Sequence, residues 1–183
     1  MKLIGLVGRK SVGKDTAALV LTQQGYQIAK FAGALKAMIA GYLDYIGLTE
    51  DAIRVIIEDY RVKEVESDYF CGRSPRHAMQ TLGTEWGRDL MAQDIWVRAC
   101  MLRCKSLDKA VITDVRFPNE VAAVKEAGGS VIRIVRNASR VDNHASENFI
   151  DSLAVDHEIS NNGTITELHQ KLLVIVKGQN NGN

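Results

Sequence analysis

The chain has 183 residues, the length of one domain or of a small domain carrying insertions. Hydrophobic residues make up 46% and charged residues 25%, an ordinary globular balance. The formal net charge of +1 sets up no long-range field to attract a nucleic-acid polymer. No run of about 18 apolar residues could span a membrane. The N-terminus enters an apolar strand without a charged-then-apolar leader, so a cytoplasmic location is expected. Cys71, Cys100 and Cys104 form neither a CxxC pair nor a secreted-type framework. Cys100 and Cys104 lie four apart in a helical pattern and are expected as buried free thiols.

In chain order, Lys2 to Val7 is an apolar run of strand length that Gly8 breaks. Lys14 to about Gln24 is helical in pattern, with Gly25 as its stop. Tyr26 to Phe31 reads as a second strand. Leu35 to about Tyr45 is helical, and Thr49 caps a further helix through Ile57. Ser74-Pro75 is a helix start, with Ser as N-cap and Pro in the first turn, for a helix carrying His77 to Leu82. Trp86 through Cys104 gives one or two more helical segments. Ala110 to Thr113 is a continuous apolar run ending in Asp114, as in a buried parallel strand. Asn119 to Ala127 is a helix closed by Gly128-Gly129, and Val131 to Val135 the next strand. A polar stretch from Asn137 to Asn148 follows. His157 to Ser160 is a short last strand, Asn161-Asn162-Gly163 a turn, and Thr166 to Lys177 a closing helix. Residues 179–183 are polar and expected to be disordered. Strands alternating with helices imply one α/β domain over 1–178: a parallel sheet covered on both faces, with a helical insertion between the second and third strands.

Gly8-Arg9-Lys10-Ser11-Val12-Gly13-Lys14 fits G-x-x-x-x-G-K and is followed by Asp15-Thr16. The match follows a strand and opens a helix, the context the motif requires. Consecutive backbone N–H groups and a helix N-terminus form an anion cradle there, and Lys14 would reach the β- and γ-phosphates of ATP. The alternative is a glycine turn that merely joins strand to helix. The position after the lysine usually holds the Ser or Thr that ligates Mg²⁺. Here Asp15 could hold Mg²⁺ directly or through water while Thr16 bonds a phosphate oxygen, or Asp15 could be a first-turn acid facing the helix dipole.

Asp114 ends a strand on the side where ligands of parallel sheets collect, so it is a candidate to hold Mg²⁺-bound water or orient an acceptor. The plain alternative is a turn or helix cap. Arg116 lies two residues on. Arg73, Arg76 and Arg88 lie in the helical insertion, near Gln80 and Trp86. Such a group suits a nucleotide pocket, because the planar fork of arginine binds phosphate and an aromatic ring stacks a base. Each arginine alone would more simply be a solvated charge. Arg136 and Arg140, at and beyond a strand end, could neutralise a transferring phosphoryl group from a mobile flap. His144 and Glu147 in the same stretch are assigned to flap closure or substrate contact.

Together, GKDT at Gly13–Thr16, the segment from Ser74 through Glu85 with Arg88, Asp94 and Trp96, the run Thr113 to Glu120 (TDVRFPNE), and His144-Ala145-Ser146-Glu147 resemble the deoxynucleoside monophosphate kinases of tailed bacteriophages. The resemblance covers nearly the whole chain. It implies the three-layer P-loop kinase fold: a five-stranded parallel sheet with helices on both faces, an acceptor-binding helical insertion at about 35–105 and a lid at about 137–155. It implies transfer of phosphate from ATP to a dNMP with Mg²⁺, in the cytoplasm of a host if the chain is phage-encoded. Lys14 becomes the phosphate-loop lysine. Lys36, Arg76, Arg88 and Arg116 become acceptor-site candidates, Arg136 and Arg140 the lid arginines, and Asn161, Gly163 and Thr164 adenine contacts. Small nucleotides are the implied partners; dimerisation stays open. The rival readings are another small-molecule P-loop kinase, of phosphomevalonate or dephospho-coenzyme A type, and a GTPase-type switch, for which no Asn-Lys-x-Asp segment is found.

Overall fold

A computed structural model describes residues 1–137 and 150–178. The chain forms two compact units, Met1–Phe31 with Met101–Asn183, and Ala32–Cys100.

The first unit is built on five parallel strands: β1 Lys2–Val7, β2 Gln27–Ala29, β3 Lys109–Val115, β4 Ser130–Val135 and β5 His157–Ser160. Their order across the sheet is β2-β3-β1-β4-β5. The central strand is the most apolar, with Leu3 through Val7 all buried. On one face, Ile4 and Leu6 meet Ala17, Ala18 and Leu21 of α1 (Lys14–Gln23) and Leu168, Leu172 and Val176 of α7 (Ile165–Gly178) in one cluster. On the other face, a Cβ on Gly5 would meet Val115 and Val124 at 3.2–3.4 Å, so the missing side chain lets α6 (Pro118–Glu126) lie close to the sheet. Helices thus cover both faces of the parallel sheet.

Most elements fall where the sequence places them, with shifted ends. The second strand is Gln27–Ala29 rather than Tyr26 to Phe31. The third continues past Asp114 to Val115. Gly25, with φ 84°, ends the first helix as expected.

The second unit holds α2 (Gly33–Tyr45), α3 (Glu50–Glu58), α4 (Pro75–Thr81) and most of α5 (Ile95–Lys105). Thr49 Oγ1 accepts the Ala52 N–H at 3.4 Å, and Ser74 Oγ accepts the His77 N–H at 3.1 Å, so both predicted caps are formed. Ile39 and Leu43, Ile53, Ile56 and Ile57, and Met79 make a core of their own from three helices. One feature escapes the periodicity. After α4 the chain does not stop at Leu82 but widens into a ten-residue π-helical stretch, Leu82–Met91. The indole of Trp96 explains it. Its Nε1 donates to Gly83 O at 2.7 Å, and its ring lies where a Cβ on Gly87 would come within 2.5 Å. A wider helix held by a tertiary side chain leaves no local signature. The predicted lid arginine Arg140, His144 and Glu147 lie outside the described residues, as does the tail 179–183.

Candidate active site

The loop between β1 and α1 takes a shape that L-residues with side chains disfavour. Ser11 has φ 63°, and Gly13 has φ 102° and ψ 22°. A Cβ on Gly13 would sit 2.5 Å from Asn161 Nδ2, and one on Gly8 2.5 Å from Ile134 O. Both glycines are therefore fixed by close approach as well as by dihedral. Helix α1 starts directly after Gly13 with no side chain capping it, unlike α3 and α4. Its first N–H groups face the loop, which is the physical condition for holding an anion. Lys14 Nζ donates to Gly8 O at 2.7 Å and Arg9 O at 2.8 Å, so the ammonium spans the loop. Asp15 is exposed in the first turn and Thr16 is half-buried.

The loop is supported from two sides. Asn161, 9% exposed, donates from Nδ2 to Val12 O at 2.8 Å, while its backbone N–H donates to Val135 O. The side-chain amide of Asn161, which the resemblance assigned to adenine, supplies the donor that the buried Val12 carbonyl needs. His169 on α7 places Nε2 3.0 Å from Thr16 O. Of the other predicted adenine contacts, Thr164 Oγ1 accepts the Glu167 N–H at 3.2 Å and caps α7, and Gly163 is exposed beside Glu167.

A cavity of about 140 Å³ lies beside the loop, lined by Gly8, Arg9, Val12, Arg133, Arg136 and Asp151 among others. Arg9 pairs with Asp151. Arg133, in the middle of β4, donates to Leu153 O at 2.5 Å and Ile150 O at 3.2 Å and pairs with Glu158 at 3.2 Å. Neither Arg133 nor Asp151 belongs to a motif legible in the sequence. An arginine inside an apolar strand was the available signal, since a buried guanidinium must find acceptors.

Asp114 Oδ1 accepts the Phe31 N–H at 2.8 Å, which ties the carboxyl end of β3 to the chain two residues past β2. Arg116 follows the strand and is exposed. Its backbone N–H donates to Glu120 Oε2 at 2.7 Å, and that of Phe117 donates to the same oxygen at 3.2 Å. The cap in this motif is therefore Glu120, 2% exposed, rather than Asp114. Pro118 in the first turn with Glu120 two residues on is a helix-start pattern that could have found it.

Lys36, Arg73, Arg76, Gln80, Trp86 and Arg88 belong to the second unit. Lys36 Nζ pairs with Glu58 at 2.7 Å, and Arg76 Nε with Glu64 at 2.9 Å. Trp86 stacks in tilted fashion on Trp96, with centroids 6.1 Å apart. Arg73 and Gln80 are exposed, and Arg88 is half-buried on the π-helical stretch.

Residues 61–172 match the profile of a family described as deoxynucleotide monophosphate kinase. The chain is 32% identical over 193 aligned residues to a "putative deoxynucleotide monophosphate kinase" of Acanthamoeba polyphaga mimivirus, covering 96% of each. It is 34% identical to the deoxynucleoside-5′-monophosphate kinase of Escherichia phage T5, over 48% of this chain and 39% of that protein. For the deoxynucleotide monophosphate kinase of Escherichia phage RB69 the identity is 30%, over 57% and 45%. Among solved structures, TT1252 from Thermus thermophilus shares the fold with a TM-score of 0.51 at 14% identity, covering 96% of both chains. With its profile matched over most of its length and a relative aligned nearly end to end, the chain belongs to the deoxynucleotide monophosphate kinase family.

Proposed function

We propose that the protein transfers the γ-phosphoryl group of ATP to the 5′-phosphate of a deoxynucleoside monophosphate, giving ADP and the deoxynucleoside diphosphate. The carrying observation is the uncapped start of α1 behind the phosphate loop, with Lys14 reaching across it, in a member of this family. The acceptor phosphate is already ionised at neutral pH, so the protein needs no general base. Its work is positioning and charge stabilisation.

Gly8 through Thr16 would cradle the ATP phosphates, and Lys14 would exchange the Gly8 and Arg9 carbonyls for phosphate oxygens. Asp114 and Arg136 are assigned to the same site, with Arg140 on a lid at 137–155. Gly163 and Thr164, on the turn that Asn161 begins, are assigned to the adenine. Lys36, Arg73, Arg76, Gln80, Trp86, Arg88 and Arg116, with His144 and Glu147, are assigned to the acceptor nucleotide. Among the described residues no three His, Cys, Asp or Glu side chains cluster to hold a metal. Mg²⁺ takes few carboxylates and relies on nucleotide oxygens, and Asp15, Thr16 and Asp114 are assigned to help hold it. When bound, Mg²⁺ would neutralise charge on the phosphate oxygens.

A coupled assay with ATP and each deoxynucleoside monophosphate tests this. ADP release with at least one acceptor is expected. No release above background with any of them would sink the proposal.

A further inference from the structure

The second unit gathers five charges from three elements and the turn between them. Lys36 projects from α2, Glu58 ends α3, Lys63 and Glu64 follow in the turn, and Arg76 lies in α4. The Arg76 backbone N–H donates to Lys63 O at 2.7 Å, which clips the turn to α4. Leu35, Ile39, Ile57, Val62 and Met79 pack in one core beneath it, so the charges stand on fixed backbone. Lys36 pairs with Glu58 and Arg76 with Glu64. Among the described residues, Lys63 has no carboxylate within ion-pair distance. Three cations against two carboxylates leave an excess of one positive charge. Burial, then the nearness of Arg76 and Lys36, pushes the Lys63 ammonium below the usual lysine range. Like charges held together in this way are relieved by a multivalent anion.

We propose that Lys36, Lys63 and Arg76 form the subsite for the phosphate monoester of the acceptor nucleotide. In it, Lys63 supplies the excess charge, and Glu58 and Glu64 hold the outer two cations until the anion arrives. This rests on the kinase function above and adds Lys63 and the two carboxylates to it. A phosphate monoester carries close to two negative charges at neutral pH, and with both carboxylates turned away it would face three cations. The side chains of Glu58 and Glu64 are 48% and 56% exposed, so each can turn to water and free its partner. Exposed ion pairs of this kind are weak, and exchange for a dianion is favoured.

The subsite makes opposite predictions for its cation and its carboxylates, which a merely structural cluster would not. In steady-state assays of the full chain, Lys63→Met should raise the KM for deoxynucleoside monophosphate about 10- to 100-fold while the KM for ATP stays near the wild-type value. Lys63→Arg should recover most of the loss. Glu64→Gln and Glu58→Gln should lower the acceptor KM about two- to fivefold by removing the competing anion. Calorimetry without ATP gives a second readout: Lys63→Met should reduce the gap in affinity between a deoxynucleoside monophosphate and its deoxynucleoside. A wild-type protein that phosphorylates no acceptor would overturn the kinase function itself. An active wild type whose Lys63→Met variant keeps its acceptor KM within twofold, or whose two Gln variants both raise it, would overturn the subsite alone.

Discussion

Replacing Asn161 separates two roles that a residue beside a nucleotide loop can have. Its Nδ2 lies 2.8 Å from Val12 O, and Val12 is 1% exposed, so solvent cannot readily replace the donor. Asn161→Ala therefore leaves a buried carbonyl short of a partner and opens space beside Gly13. A buried acceptor left unsatisfied costs about 1–3 kcal/mol. For a chain of this size each kcal/mol shifts the melting temperature by about 2–4 °C, so a drop of roughly 2–12 °C is expected. Asn161→Asp should cost more, because it turns a carboxylate oxygen toward the Val12 carbonyl. The deciding assay is thermal unfolding without nucleotide, followed by the KM for ATP and for GTP. A buttress lowers the melting temperature of the empty protein and raises both KM values together. A base contact leaves the empty protein unchanged and alters only the ATP-to-GTP ratio. A melting temperature within 1 °C of wild type, with a changed purine ratio, would refute the assignment of Asn161 to loop support.

Other perturbations address other parts of the molecule. Lys14→Met should lower kcat/KM by at least about 100-fold, as removal of one oxyanion donor does, with the loop's backbone unchanged by crystallography. Gly87→Ala puts a Cβ within 2.5 Å of the Trp96 ring and should destabilise by about 1–3 kcal/mol, with a change in tryptophan emission. Glu120→Ala strips the acceptor from the Arg116 and Phe117 N–H groups and should cost a similar amount in a urea titration. Asp156 gives a pH test. Burial raises its pKa, but the Val131 N–H and Lys125 outweigh this and hold it below the usual carboxylate value of 3.8. A depressed carboxylate contributes stability above its unfolded pKa and loses it as pH falls through the folded one. The melting-temperature advantage of wild type over Asp156→Asn should thus be full near pH 7 and shrink below about pH 4.

The phosphate loop and the sheet were legible because their signals are local: a glycine-spaced lysine, and apolar runs of strand length at Lys2–Val7 and Ala110–Thr113. Ser74-Pro75 and Thr49 were legible for the same reason, since a cap acts over three residues. The rest depends on partners distant in sequence. Nothing near Leu82 announces a π-helical stretch, because the indole that holds it open belongs to Trp96, on the following helix. Asn161 was assigned to the base only through the family resemblance, whereas its amide points across 149 residues of chain to Val12. Lys63 carries no motif at all and stands out only where α2 and α4 bring Lys36 and Arg76 to it. Glu120 was quoted within a motif but given no role, since only coordinates show both N–H groups converging on one oxygen.

The position of β1 in the sheet has a consequence for synthesis. Strand β1 leaves the ribosome well before either of the strands that pair with it. Lys2 is opposite Lys109 and Ile4 is opposite Ser130. At about 5–20 residues per second, the strand that carries the nucleotide loop waits on the order of 5–25 s for its flanking partners. Throughout that interval Leu3 to Val7 is an exposed apolar segment with unpaired edges, of the kind that invites non-native association. The loop after β1 is thus made before the strands that flank it. Slowing synthesis between codons 31 and 130 should therefore reduce the yield of nucleotide-binding protein more than slowing it after residue 160.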